Sequence, residues 1–124
     1  MLHTCFGYGH FISEKTSGYP FLSELGGTDV DQLAIEAAQP RLNLSVLDAL
    51  TRHTIVLGVL DLGDSTPETA EVVADRIRAA LEHVAADRLV LAPDCGMKYL
   101  PRDLARRKLD ALTAGAALVR AELG

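Results

Sequence analysis

The sequence is poor in aromatic residues, and none of its 124 residues is a tryptophan. It also lacks long apolar runs: the longest, such as residues 55–62, are far shorter than the roughly 20 residues that cross a bilayer. The net charge is −5, and no stripe of Lys and Arg alternates with aromatic side chains. These absences argue against a membrane-spanning segment. They also argue against a nucleic-acid partner, which favours clustered positive charge.

Cysteine is scarce as well, with Cys5 and Cys95 as the two examples. No basic region precedes an apolar stretch at the N-terminus, so the sequence predicts no signal peptide and a cytoplasmic location. A disulfide between the two cysteines is therefore the weaker interpretation, because disulfides are typical of exported proteins. Both cysteines also stand at predicted strand-to-loop junctions, whereas buried structural cysteines usually lie inside an element.

The residues that are present indicate a globular protein. Hydrophobic residues make up 48% of the chain and charged residues 23%, which is typical of a folded domain. A chain of this length can bury a core of its own. We therefore predict one domain over residues 1–124.

Strand and helix patterns alternate along this domain. Residues 54–61 form a continuous apolar run, which is typical of a parallel strand covered on both faces. Residues 67–84 have the apolar spacing of an amphipathic helix, with Ser65 or Thr66 as its expected N-cap. The other predicted elements are strands at 2–6, 31–36 and 88–92, helices at 20–26, 43–51 and 101–122, and a loop at 7–20. Four β-α units in a row predict an α/β fold with a parallel sheet.

The closing helix, residues 101–122, is predicted to bury one face. The apolar positions assigned to that face are Ala105, Leu109, Leu112, Ala116 and Val119. The charged run from Arg106 to Lys108 indicates a solvated face of the same helix.

Side chains capable of chemistry gather where the predicted strands end, which is where α/β proteins place their sites. His3 and Cys5 are alternate residues of one strand, so both side chains face the same side. Glu36 and Asp61 end the second and third strands, and Cys95 follows the fourth. Imidazole, thiolate and carboxylate donors together suit zinc.

Each candidate also has a plainer interpretation. The pair at residues 3 and 5 could be a surface histidine beside a core cysteine. Cys95 could be a buried cysteine at a turn, with Asp94 as a cap or turn residue. Glu36 could mark the point where a buried strand reaches solvent.

Longer segments resemble the C-terminal catalytic region of cobalamin-independent methionine synthase and its short single-domain relatives. The matching segments are His3 to Gly7, Ala34 to Ala38, Gly58 to Asp61, and Arg88 to Lys98. The resemblance covers nearly the whole chain and implies the last four β-α units of a TIM (β/α)8 barrel. It also implies a zinc cofactor whose ligands are His3, Cys5, Glu36 and Cys95.

The reaction that this resemblance implies is methyl transfer to a thiol, from 5-methyltetrahydrofolate to homocysteine. The family carries a histidine two residues after its strand-end aspartate, which is thought to help deliver a proton to the leaving folate. Here that segment reads Asp61-Leu62-Gly63, so the histidine is absent and Asp61 is left to orient water. Other methyl donors and other small thiols therefore stay open.

A second departure from the family concerns size, because the chain supplies about four of the eight barrel strands. Exposed sheet edges and apolar inner faces favour association. We expect a homodimer slightly ahead of pairing with a separate N-terminal half-barrel. The alternatives are a non-catalytic, zinc-binding subunit and a folded remnant that binds no metal.

Overall fold

The computed structural model describes residues 1–5, 7 and 19–124. Four strands within these residues form one parallel sheet with the order β1-β2-β3-β4. The strands are β1 (Leu2–Thr4), β2 (Gln32–Ile35), β3 (Thr54–Leu60) and β4 (Leu89–Pro93). The predicted four-stranded parallel sheet is confirmed. Phe6, at the end of the first predicted strand, and residues 8–18 of the predicted loop lie outside the described residues.

The α-helices of the described residues are α1 (Leu22–Leu25), α2 (Ala70–Leu81) and α3 (Arg102–Leu123). The helix predicted at 43–51 is a 3-10 helix, Leu44–Ala49, and a second 3-10 helix spans Ala86–Arg88. None of the described helices has both the length and the apolar character that a membrane crossing requires.

Helix α2 begins later than its sequence pattern predicts. The N-cap is Thr69, whose hydroxyl accepts a hydrogen bond from the N–H of Val72 at 3.3 Å. Neither Ser65 nor Thr66 caps the helix, so that prediction is wrong. The hydroxyl of Thr69 satisfies one of the first N–H groups of the helix, which have no partner within it.

The hydrophobic core lies between one face of the sheet and the helices. Alternate residues of β3, which are Ile55, Leu57 and Val59, are at most 1% exposed and pack with Val73 and Ile77 of α2. The other face of the sheet carries the intervening positions, and there Val90 of β4 is 44% exposed. Within β3, the cover on both faces that the apolar run predicted is nearly complete, because Gly58 and Leu60 are buried and Thr54 and Val56 are half-buried. The edge strands are less covered, and Leu2 of β1 is 37% exposed.

Helix α3 buries a face that only partly matches the predicted one: Ala116 and Val119 are buried as predicted, and Ala105 and Leu112 are half-buried. The buried positions are Leu104, Lys108, Ala111, Gly115, Ala116 and Val119, while Leu109 is 43% exposed. The cause is Gly115, where an added Cβ would lie 2.7 Å from both the carbonyl oxygen of Ala70 and the Cβ of Val73. The two helices approach closely at this glycine, and the close approach sets the rotation of α3 against α2.

Candidate metal site

Three of the predicted ligands meet at the carboxyl end of the sheet. His3 lies on β1, Cys5 follows it, and Cys95 follows β4. The ligand atoms of the three side chains all lie within 4.8 Å of one another. Within this group, the Sγ of Cys95 is 3.8 Å from the Nε2 of His3. The sheet thus brings together side chains that are far apart in the sequence.

The spacing of these donors fits a tetrahedral metal ion. Zinc–sulfur and zinc–nitrogen bonds of about 2.3 and 2.0 Å imply a separation of about 3.6 Å between two such donors. The observed separation of 3.8 Å between Cys95 and His3 is close to that value. Both thiols are free of a disulfide, and thiolates together with imidazole are donors that zinc prefers. The residues present therefore fit zinc.

Burial and neighbouring acidic groups affect the Cys95 thiol. Burial is the main cause that raises its pKa above the ordinary value for cysteine, and the nearby Cys5 and Glu36 raise it further. His3 and Cys5 are exposed, whereas Cys95 is half-buried. Because a metal binds the thiolate, metal binding has to displace the thiol proton. A cation at this point would therefore lower the pKa that burial raises.

Glu36 lies directly after β2 and is 0% exposed. It does not belong to the group of three donors that the described residues bring within 4.8 Å. Its charge is one of the smaller causes that raise the pKa of Cys95. The predicted role of Glu36 as a ligand stays a prediction.

Tyr19 was not marked by any sequence pattern, yet it contacts two of the strand ends that carry the donors. Its hydroxyl lies 3.4 Å from the carbonyl oxygens of both Thr4 and Glu36. The side chain is 5% exposed, and burial raises the pKa of its phenol. The neutral hydroxyl is therefore kept as a donor between the ends of β1 and β2.

Asp94 does more than cap a turn. Its carboxylate accepts hydrogen bonds from the N–H groups of Ala37 and Ala38 at 3.1 and 3.0 Å, and from that of Gln39 at 2.7 Å. The residue is 2% exposed, and burial is the main cause that raises the pKa of its carboxyl to about 6. Asp94 therefore ties the segment after β4 to the segment after β2.

Asp61, the predicted catalytic residue, is held on three sides at the end of β3. Its Oδ1 accepts the N–H of Gly63 at 2.8 Å, and its own N–H donates to Glu68 at 2.7 Å. Its carbonyl oxygen accepts from the Nζ of Lys108 at 2.9 Å. Asp61 does not belong to the group of three donors, and its catalytic role stays a prediction.

The space beside Gly63 contains the side chain of Gln39. A Cβ added to Gly63 would lie 2.7 Å from the Nε2 of Gln39 and 3.2 Å from the Oδ1 of Asp61. A side chain at residue 63 would therefore have to displace the amide of Gln39. The amide stands where the histidine of the D-I-H pattern would begin.

Lys108 corrects the interpretation of the charged run in α3. Its side chain is 0% exposed, and its Nζ donates to the carbonyl oxygens of Asp61 and Thr66 and to Glu68 at 2.9–3.0 Å. Burial raises the pKa of Glu68, but hydrogen bonds from Lys108, the Asp61 N–H and Arg76 lower it to a net value below the ordinary one. Lys108 thus supports the loop after β3 from within.

Comparison with known proteins gives a consistent result. The sequence model of the family described as "Cobalamin-independent synthase, Catalytic domain" matches residues 9–117. A methionine synthase from Thermococcus kodakarensis is 35% identical over 123 residues, which are 98% of this chain and 34% of that protein. A 2-hydroxypropyl-CoM lyase from Xanthobacter autotrophicus is 42% identical over 101 residues, which are 76% of this chain and 27% of the lyase.

A solved structure shows the same fold. The B12-independent methionine synthase from Shewanella sp. W3-18-1, in complex with selenomethionine, superposes with a TM-score of 0.88 at 33% identity. The match covers 98% of this chain and 38% of that one. The predicted equivalence to part of a TIM barrel is confirmed. The chain spans about a third of the length of the curated relatives it matches.

Proposed function

This chain belongs to the family of cobalamin-independent synthase catalytic domains, as the resemblance predicted, and on that premise we propose a zinc-dependent transfer of a methyl group to a thiol. Homocysteine is the leading acceptor, and 5-methyltetrahydrofolate is the leading donor. Both substrates come from the family resemblance. We also propose a cytoplasmic location, because a metal site with two thiols needs a compartment that keeps cysteines reduced.

One observation carries the proposal: the ligand atoms of His3, Cys5 and Cys95 lie within 4.8 Å of one another at the carboxyl end of the sheet. When bound, zinc supplies a Lewis acid that lowers the pKa of a substrate thiol, so that a thiolate persists at neutral pH. His3 and the two cysteines would hold the metal. Glu36, which directly follows β2 and is buried, is the proposed fourth ligand.

The leaving nitrogen of a methyl-folate has to gain a proton, because an amide anion is a very poor leaving group. Asp61 is the proposed residue for this step, acting through a water that its carboxylate orients. Its backbone is fixed by Glu68 and Lys108, which gives its carboxylate a defined position. Gly63 supplies no side chain for proton delivery, so the step depends on Asp61 more than it would in a family member with the histidine.

A second candidate function differs in the thiol. The 2-hydroxypropyl-CoM lyase is 42% identical over its matched region, against 35% for the methionine synthase from Thermococcus kodakarensis. This similarity favours coenzyme M or a related small thiol as the alternative acceptor. The two functions are distinguished by the rate of methyl transfer to homocysteine and to coenzyme M, measured at equal thiol concentrations.

Activity of this chain alone depends on whether another chain has to complete the barrel. We propose that the sheet associates through its edges, as a homodimer ahead of a separate N-terminal half. The non-catalytic alternative is a subunit that binds zinc and completes another chain. Analytical ultracentrifugation, alone and after mixing with an N-terminal half-barrel of a relative, separates these possibilities.

Zinc content is the decisive first measurement. We expect about one zinc ion per chain in protein purified without chelators, and loss of that zinc in Cys95→Ser and His3→Ala. His83→Ala is the matched control, because His83 pairs with Asp48 on the surface and should leave the zinc content unchanged. Folded protein without zinc would reject the proposal. Zinc that persists in Cys95→Ser would reject the proposed ligand set.

A further inference from the structure

The carboxylate of Asp94 reaches across the sheet to a strand that is not its neighbour. Asp94 follows β4, and its N–H donates to the carbonyl oxygen of Leu60 in β3 at 3.2 Å. Its side chain passes over β3 and accepts the three N–H groups that follow β2, those of residues 37–39. We call these three hydrogen bonds the Asp94 bridge. The bridge spans three strand ends with one side chain.

Gly58 makes this reach possible. A Cβ at residue 58 would lie 2.7 Å from the Cα of Asp94 and would overlap its Oδ1. Glycine in the interior of a strand weakens it, and it often marks a place where another group approaches closely. Here the approaching group is Asp94. Because Gly58 has no Cβ, the side chain of Asp94 can pack directly against the backbone of residue 58.

The bridge joins segments that carry two proposed ligands. Glu36 immediately precedes the three N–H donors of the bridge, and Cys95 immediately follows Asp94. Any movement of Asp94 therefore shifts Glu36 and Cys95 relative to one another. We infer that Asp94 is a positioning residue of the metal site, which holds the Glu36 segment and the Cys95 segment at a fixed separation. This inference rests on the proposed zinc site.

The bridge leaves Asp94 poorly placed to be a ligand itself. A carboxylate has about four lone-pair sites, and three of them accept the N–H groups of residues 37–39. Asp94 also does not belong to the group of donors within 4.8 Å of one another in the described residues. Partners of this kind typically change metal affinity by about 10- to 100-fold when they are lost.

Asp94→Asn tests the inference in the full chain. The amide keeps one acceptor oxygen but presents an NH2 group to an N–H, so the bridge loses at least one bond. We expect zinc affinity, measured by competition with a chromophoric chelator, to fall about 10- to 100-fold. We also expect the visible spectrum of the cobalt-substituted protein to change, because that spectrum reports the geometry of the ligands.

Glu68→Gln is the matched control, because Glu68 is a second buried carboxylate that accepts a backbone N–H. It should lower stability but leave zinc affinity and the cobalt spectrum of the folded protein unchanged. If Asp94→Asn does not fold, Gly58→Ala replaces it, because the added methyl displaces Asp94 while its charge is kept. The same loss of affinity is expected.

The outcomes separate the two proposals. Wild-type protein that binds zinc, with Asp94→Asn binding it equally tightly and with an unchanged cobalt spectrum, overturns the positioning role and leaves the proposed function standing. Wild-type protein that is folded and binds no zinc overturns the proposed function and, with it, this inference. Weakened binding in Asp94→Asn, together with unchanged binding in Glu68→Gln, supports both.

Discussion

Two buried carboxylates, Glu68 and Asp94, hold loops at neighbouring strand ends, and they do so by different means. Glu68 accepts hydrogen bonds from two cations, Lys108 and Arg76, and from the N–H of Asp61. Asp94 accepts from three backbone N–H groups. The pKa of Glu68 is lowered, whereas burial raises the pKa of Asp94 to about 6.

The difference distinguishes the structural ion-pair cluster around Glu68 from the candidate metal site near Asp94. Buried charge is costly unless it is paired, and at the end of β3 the cations beside Glu68 supply that pairing. After β2 and β4 the carboxylates of Glu36 and Asp94 are buried, and the thiols of Cys5 and Cys95 would become anions if they bound a metal. A metal cation would offset this negative charge in the way that Lys108 offsets Glu68.

Removing the cation of the Glu68 cluster should have the largest effect. Lys108→Met leaves Glu68 and two carbonyl oxygens without their buried donor, and breaking a buried pair in this way costs about 3–5 kcal/mol. The measurement is the free energy of unfolding from urea denaturation. Arg107→Met, at an exposed position of the same helix, is the control and should change stability by less than about 0.5 kcal/mol.

The comparison would fail if Lys108→Met matched Arg107→Met, because Lys108 would then contribute no more than a solvated lysine. A double variant sharpens the result. Lys108→Met combined with Glu68→Leu should recover part of the lost stability, since apolar groups can replace a buried ion pair at little cost. The carbonyl oxygens of Asp61 and Thr66 still lack their donor in the double variant.

Replacing the anion should have a smaller effect, and one that depends on pH. Glu68→Gln keeps an acceptor but loses its charge, so we expect a loss of about 1.5–3 kcal/mol at neutral pH. The folded-state pKa of Glu68 lies below 4.5. Its stabilising contribution is therefore present above pH 4.5 and is lost as the pH falls through the folded-state value.

The difference in unfolding free energy between Glu68→Gln and the parent should accordingly shrink as the pH is lowered below 4.5. Asp64→Asn provides the control, because Asp64 is exposed and accepts a local N–H within its own turn. A difference that stays constant from neutral to acid pH would contradict the pairing of Glu68 with cations.

The packing of Asp94 against Gly58 is tested by adding a methyl group at residue 58. Gly58→Ala inserts a methyl group against Asp94, and overpacking of this kind costs about 1–3 kcal/mol. Gly27→Ala is the control, because the nearest atom to its added Cβ, the carbonyl oxygen of Glu24, is 3.6 Å away. Equal unfolding free energies for the two variants would mean that Asp94 can move away from β3 without loss.

Much of the fold could be predicted from local pattern. The apolar run of β3 marks a buried strand in the parallel sheet. His3, Cys5 and Cys95 could be placed together because the carboxyl ends of parallel strands share one edge. That step needed the strand ends and the family resemblance together, because β1 and β4 are not neighbours in the sheet.

The sequence pattern failed where one residue acts through a distant partner. Lys108 stands in a run of basic residues that looks solvated, and its burial depends on Glu68, which lies 40 positions away. The rotation of α3 depends on a single close approach at Gly115. The local sequence around Asp94 predicts only a turn residue, because its hydrogen-bond partners at residues 37–39 lie across Gly58 and far away in the sequence. Periodicity along one element carries no information on such contacts between elements.

An exposed carboxylate should contribute the least to stability, and its replacement should therefore have the smallest effect. Glu122 of α3 accepts two hydrogen bonds from Arg78 of α2, and Arg78 lowers the pKa of Glu122. Both groups are solvated, so water and salt screen their attraction. Glu122→Gln should shift the urea midpoint less than Lys108→Met, Glu68→Gln or Gly58→Ala, and the shift should vanish in about 1 M salt. The shift caused by Lys108→Met should persist there, because salt screens a buried pair much less. A shift for Glu122→Gln as large as that for Glu68→Gln would show that burial does not govern the strength of these pairs.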